Sequence, residues 1–313
     1  MRYLSLLLLL LSTLPISAAE MDYHLQPRQV AKDTYLLLGH QEHFDFKNGG
    51  NIVNTAFILT QAGVVVIDTG PSRLYGEQLR AAIARVTAKP IVQVYITHMH
   101  PDHFLGNQAF EDLPIAALSD TREGIRQFGE GFNDNLYRLV GSWMRGTRVV
   151  IPGQQVQPGR REIGGHRLRL IALQGHTGAD LALLDETTGV LFAGDLVFHD
   201  RTPTTPHAQL AAWQASLVRL RELDFGLLVP GHGEPLAGPA AIEQTAGYLH
   251  WLNGYLTEAA ESGAAMAELL HPDAPSPIHA LAVFDSEYIR SLSHLYPALE
   301  AAALAKGRVE QAH

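Results

Sequence analysis

Five predominantly apolar runs of four to six residues recur along this chain, each followed within two residues by a glycine, a carboxylate or an imidazole. Val64 to Ile67, Ile91 to Ile96, Leu168 to Leu173, Val190 to Ala193 and Phe225 to Pro230 are too short and too continuously apolar for amphipathic helices, and they predict buried strands. The order of elements repeats. Asn54 to Gly63 leads into Val64 to Asp68, while Ala179 to Leu184 turns at Thr188-Gly189 into Val190 to Asp195; both read as strand, tight turn, strand, acidic loop. Each half continues into a helical pattern, Tyr75 to Val86 or Leu210 to Leu223, and then a second apolar strand. Two such halves predict sheets packed inside, helices outside, and a cleft along one edge.

After residue 240 the pattern is helical: Ala241 to Ala260, Ala264 to Leu270 and Ser286 to Ala305, interrupted by Pro272, Pro275 and Pro277. These helices are expected to pack on the sandwich, with a wall of the substrate cleft as the functional alternative. Three segments result: 1–19, 20–240 as one catalytic domain, and 241–313 as a helical extension packed on it.

Composition narrows the class. A chain of 313 residues, 46% hydrophobic, can bury a large core. A net charge of −9 and a pI near 5.9 argue against nucleic acid as the main partner, leaving a small-molecule substrate. Arg145, Arg148, Arg160, Arg161, Arg167 and Arg169 are read as a solvated strand face. At the amino terminus Met1-Arg2, the apolar run Leu4 to Leu14 and Ala18-Ala19 have the form of a secretory signal peptide, so the mature protein is expected in the periplasm, off the membrane once cleaved. The chain has no cysteine, which excludes disulfides and thiolate ligands.

The chemistry concentrates in His98-Met99-His100-Pro101-Asp102-His103, directly after an apolar strand. Alternate side chains of an extended segment point the same way, which aims His98 and His100 together at one ion. Pro101 disfavours helical geometry at His100 and suits a first helical turn, so Asp102 and His103 swing toward a different point. One loop can therefore serve two metals. His176, Asp195 and His232 stand at the ends of three other apolar runs, each beside glycines that permit sharp turns and close backbone approach.

Taken with Asp68, these elements resemble the ordered signature of the metallo-β-lactamase superfamily. The resemblance implies an α+β fold, its four-layer αββα sandwich, here with C-terminal helices. It implies that His98, His100 and His176 hold one metal, that Asp102, His103 and His232 hold another, and that Asp195 bridges them. Asp68 would order the metal loop through hydrogen bonds. An imidazole and carboxylate set suits two divalent ions, zinc first, with iron or manganese as alternatives. Such a pair lowers the pKa of bound water from about 16 to about 7, giving a bridging hydroxide that attacks a carbonyl. Asp102 is expected to orient it and pass a proton to the leaving group.

The complete set is similar to that of glyoxalase II relatives, lactonases and other thioester or ester hydrolases; its bridging carboxylate argues against a dedicated β-lactamase. Lys47 to Thr55, Asp68 to Ser72 and Gly175 to Asp180 also resemble quinoprotein relay system zinc metallohydrolases, implying a link to periplasmic pyrroloquinoline quinone-dependent oxidation. Three alternatives stay open: a mononuclear iron sulfur dioxygenase, a β-lactamase, and a metal or quinone carrier without turnover. Phe44, Phe46 and the Asn48-Gly49-Gly50-Asn51 turn are candidates for a flexible flap, the plain hairpin tip being the other reading. His199, Asp200 and Arg201 are candidates for the mouth of the site.

Overall fold

A computed structural model describes residues 21–311, so the segment read as a signal peptide lies outside the described residues. The chain runs β1 (Arg28–Ala31), β2 (Thr34–Leu37), β3 (Thr55–Leu59), β4 (Val64–Ile67), α1 (Arg73–Val86), β5 (Ile91–Tyr95), α2 (Pro101–Phe104), β6 (Ile115–Ala117), α3 (Ser119–Val140) and β7 (Gln154–Gln155). It continues through β8 (Gly159–Ile163), β9 (His166–Leu173), β10 (Asp180–Asp185), β11 (Val190–Phe198), α4 (Leu210–Arg221), β12 (Leu227–His232), β13 (Leu236–Ala237), α5 (Ala240–Glu261), α6 (Ser276–His279) and α7 (Phe284–Gln311). Strands β1 to β7 form one sheet in chain order, and β13-β12-β11-β10-β9-β8 form the second.

The period-two alternation of a strand explains the layering. In β3 and β4, Ala56, Ile58, Val65 and Ile67 face Leu168, Leu170, Leu181, Leu183 and Phe192 of the other sheet. Their neighbours Phe57, Val64 and Val66 face the helices, packing with Leu79, Ile83 and Ile125 of α1 and α3. On the far side, α4, α5 and α7 cover the second sheet through Trp213, Leu249, Leu252, Tyr288 and Leu292. The result is a four-layer αββα sandwich with C-terminal helices. Because both faces of the central strands are buried, they read as unbroken apolar runs.

The predicted halves are visible as two parallel pairs. β4 pairs with β5 across α1, and β11 pairs with β12 across α4. Two differences from the sequence reading matter. Asp195 lies inside β11, which runs on to Phe198; its register against β12 shifts on both sides of Gly194, which has φ +53°. A bulge, rather than a loop, aims this carboxylate. Helix α3 lies outside the predicted elements, because Gly124, Gly129 and Gly131 dilute its helical pattern. Gly124 and Gly129 let it approach Met99 and Val149. In the arginine run, Arg160 pairs with Glu186 at 2.8 Å and Arg148 pairs with Glu111.

Candidate metal centre

All seven metal-ligand candidates converge at one edge of the sandwich, and all are buried. His98, His100, His176 and Asp195 form one group, Asp102, His103 and His232 another, with each group's ligand atoms within 4.8 Å of one another. His100 Nδ1 lies 3.0 Å from His98 Nε2 and 2.8 Å from His176 Nε2. Asp195 sits between the groups: Oδ2 is 3.3 Å from His176 Nε2 and 3.2 Å from His232 Nε2, and Oδ1 is 3.1 Å from His103 Nε2. Asp102 Oδ2 is 3.5 Å from His232 Nε2 and 3.7 Å from His103 Nε2.

Hydrogen bonds behind the imidazoles decide which nitrogen faces inward. His103 Nδ1 donates to Asp68 Oδ2 at 2.7 Å, and His232 Nδ1 donates to the Ile52 carbonyl at 2.7 Å. Asp68 also accepts from the Thr97 backbone N–H and from Thr97 Oγ1, both at 2.8 Å. With its proton so committed, Thr97 Oγ1 accepts from His98 Nδ1 at 3.0 Å. Asp68 itself stands at φ +58°, a left-handed conformation held by these bonds. Thus Asp68 joins the ends of β4 and β5 and orients His103, with Thr97 orienting His98.

The donor set fits divalent cations. Burial holds His98, His100 and His176 well below the ordinary imidazole value, so they are neutral and present lone pairs. At His103 burial works the same way, but Asp195, Asp102 and Asp68 outweigh it and hold the ring well above that value, showing how strongly this half favours positive charge. His103 Nε2 and Asp195 Oδ1 are buried and make no aligned hydrogen bond, a costly arrangement unless an ion completes it.

Close packing explains the glycines. A Cβ on Gly231 would stand 1.9 Å from Asp195 Oδ1, and one on Gly175, at φ +143°, would stand 2.2 Å from Trp213 Cα. Trp213 in turn lies 5.1 Å from the His176 ring.

A cavity of about 110 Å³ opens onto the ligands. Phe44, Ile52, Pro101, Phe132, Arg201 and His207 line it together with His100, Asp102, Asp195 and His232, and α7 contributes Glu287 and Arg290. Of the substrate-contact candidates, Phe44 and Arg201 therefore lie at the site. Phe46 is 60% exposed, its carbonyl accepting from Trp143 Nε1. Asn48 is buried in its own turn, Oδ1 accepting from Gly50 N–H and Nδ2 donating to the His43 carbonyl, both at 2.8 Å. The turn lies in the long connection between β2 and β3, held by these internal bonds with Gly49 against Trp143. His199 turns toward the Glu234 carbonyl, 2.6 Å from Nδ1, and Asp200 pairs with Gln244, so neither lines the cavity. Sequence reasoning missed His207, whose Nδ1 is 2.9 Å from His100 Nε2, and the two α7 residues; no local motif marks any of them.

The family model of the metallo-beta-lactamase superfamily matches residues 48–232. The chain is 27% identical over 218 residues to an acyl-coenzyme A thioesterase of Bos taurus, covering 60% of this chain and 75% of that protein. It is 27% identical over 221 residues to a beta-lactamase-like protein 2 homolog of Caenorhabditis elegans, covering 67% of this chain and 65% of that one. To a linear primary-alkylsulfatase of Pseudomonas it is 21% identical, over 62% of this chain and 46% of that one. Among solved structures, a metallo-beta-lactamase from Pontibacter korlensis superposes with a TM-score of 0.60 at 20% identity, covering 72% of this chain and 99% of that chain. A metallo-beta-lactamase from Erythrobacter litoralis gives 0.58 at 18%, covering 72% and 96%. The chain belongs to the metallo-beta-lactamase superfamily.

Proposed function

We propose that this protein is a binuclear metal-dependent hydrolase acting on a thioester, ester or lactone. The observation that carries the reading is Asp195, whose two oxygens lie 3.1 to 3.3 Å from imidazole nitrogens of both ligand groups. His98, His100 and His176 would hold one ion and Asp102, His103 and His232 the other, with zinc favoured by the nitrogen-rich, thiolate-free set. When bound, such ions supply a water-derived nucleophile near neutral pH and Lewis acidity toward a carbonyl. The chain's own residues do the rest. Asp68, Thr97 and the Ile52 carbonyl fix the inward faces of the imidazoles, Phe44, Ile52 and Phe132 give the cavity apolar lining, and Asp102 is the carboxylate placed to take up a proton and return it to the leaving group.

The thioesterase named among the relatives supports acyl transfer to water. The signal-like amino terminus supports a periplasmic location, and the resemblance to quinoprotein relay hydrolases supports a link to periplasmic quinone-dependent oxidation. A panel of thioesters, lactones, esters and penicillins, presented to the zinc-loaded mature protein, tests the activity. Thioesters or lactones turn over faster than penicillins, and Asp195→Ala and His100→Ala proteins that keep their circular dichroism lose turnover. Penicillin turnover that equals or exceeds the thioester rate overturns the assignment. Cell fractionation with amino-terminal sequencing of the mature chain tests the location.

A further inference from the structure

The cavity wall formed by Arg201 and α7 carries charges that the metal centre does not use. Arg201 is 2% exposed, yet its Nε has no hydrogen-bond partner. Its other nitrogens reach only Thr204 Oγ1 at 3.5 Å and the Glu42 carbonyl at 3.2 Å. Glu287, fully buried, has neither oxygen hydrogen-bonded; Arg201, Arg290 and His43 stand 3.5 to 3.7 Å from its Oε1. A pair built only for stability would close to a direct, bidentate contact, because leaving such groups unbonded is costly. Burial keeps His43 below the ordinary imidazole value, so it adds no charge at neutral pH. Two guanidinium groups against one carboxylate leave this wall with one net positive charge, on a chain whose total is −9. Arg201 is close enough to the ligands for Asp195 and Asp102 to act on its charge. Apolar Phe44, Ile52 and Phe132 line the cavity beside these charges, and low-dielectric walls strengthen ion recognition.

We propose that this cavity takes substrates bearing a carboxylate besides the scissile carbonyl, with Arg201 and Arg290 receiving that carboxylate and Glu287 holding the two guanidinium groups toward it. The inference rests on the hydrolase reading for the identity of the reaction, but the anion subsite is measurable without turnover. The carboxylate can belong to the acyl part or to the leaving group, and the chemistry at the arginines is the same.

The test is calorimetric titration of the zinc-loaded protein with malonate, succinate and glutarate, each against the monocarboxylate of equal carbon number. One carboxylate of either series can meet the metal centre, so the difference reports the second. At least one dicarboxylate binds tenfold or more tighter than its partner, and the preference falls toward unity in Arg290→Gln, a half-exposed position, and in Arg201→Gln where that protein folds. Equal binding of both series by the wild type, or a preference that survives Arg290→Gln, overturns the subsite. Paired substrates then locate the charge: succinyl against butyryl thioesters of one thiol for the acyl side, and acetyl thioesters of mercaptoacetate against ethanethiol for the leaving-group side. A dicarboxylate preference in a protein that turns over no acyl substrate upholds the subsite and sinks the hydrolase reading alone.

Discussion

His100 Nε2 lies 2.9 Å from His207 Nδ1, so the nitrogen of His100 that turns away from the ligand group meets another imidazole rather than a backbone carbonyl or carboxylate. With His100 Nδ1 directed at His98 and His176, the proton on Nε2 is donated to His207, which fixes the tautomer that a metal needs. His207 is itself held between the rings of Phe128 and Phe132, at 6.1 and 5.9 Å.

His207→Leu therefore weakens metal binding by about 10- to 100-fold, the usual effect of losing an outer hydrogen bond to a ligand. His207→Asn, which keeps an acceptor near the Nδ1 position, restores most of it. Competition with a chromophoric chelator measures both. Equal affinity in the leucine and wild-type proteins would remove His207 from this role.

Gly231→Ala separates the site from the fold. The new Cβ would stand 1.9 Å from Asp195 Oδ1 and 2.8 Å from the Gly194 carbonyl carbon, so the carboxylate between the two ligand groups has to move. Metal content drops below two ions per chain and hydrolysis falls to background, while the far-ultraviolet circular dichroism stays that of the wild type.

Removing metal lowers stability. Asp68, Asp102 and Asp195 are all buried around the ligand groups, and ions held there would offset their mutual repulsion. At free metal a hundredfold above Kd the folded state gains about 2.7 kcal/mol per site. Calorimetry before and after chelation shows a lower Tm for the apoprotein, returning on zinc addition.

Asn48→Ala tests the packed turn. Its side chain accepts from Gly50 and Asp45 N–H and donates to the His43 carbonyl and Glu42 Oε2, so truncation removes four hydrogen bonds at a buried position. A loss of about 2 to 3 kcal/mol follows from net bond energies together with the unsatisfied groups left behind. The urea midpoint reports it; an unchanged midpoint with altered KM would restore the flexible flap.

Much of the frame was legible because its signals are local. The four-residue run Val64 to Ile67 is buried throughout, and a short apolar run of β-branched residues closed by Asp68 and Gly70 marks a central strand of a layered fold. The crowding of His98, His100, Asp102 and His103 marked the chemistry for the same reason, since a six-residue loop brings its own ligands together. Gly175 and Gly231 carried a readable constraint, although the neighbours that impose it, Trp213 and Asp195, are distant or on another strand.

The sequence by itself determined the central strands of the two halves, the loop that carries the ligands and the residue types that suit divalent cations, all properties of spacing along one segment. Only the tertiary structure decided which side chains share the cavity. His207, Glu287 and Arg290 reach it from loops and helices 107 to 190 residues beyond His100, while Phe46 and His199, nearer in sequence to recognised elements, turn elsewhere. The direction of a side chain on a loop or helix end is set by what packs behind it, and that information resides in contacts between segments rather than within any of them.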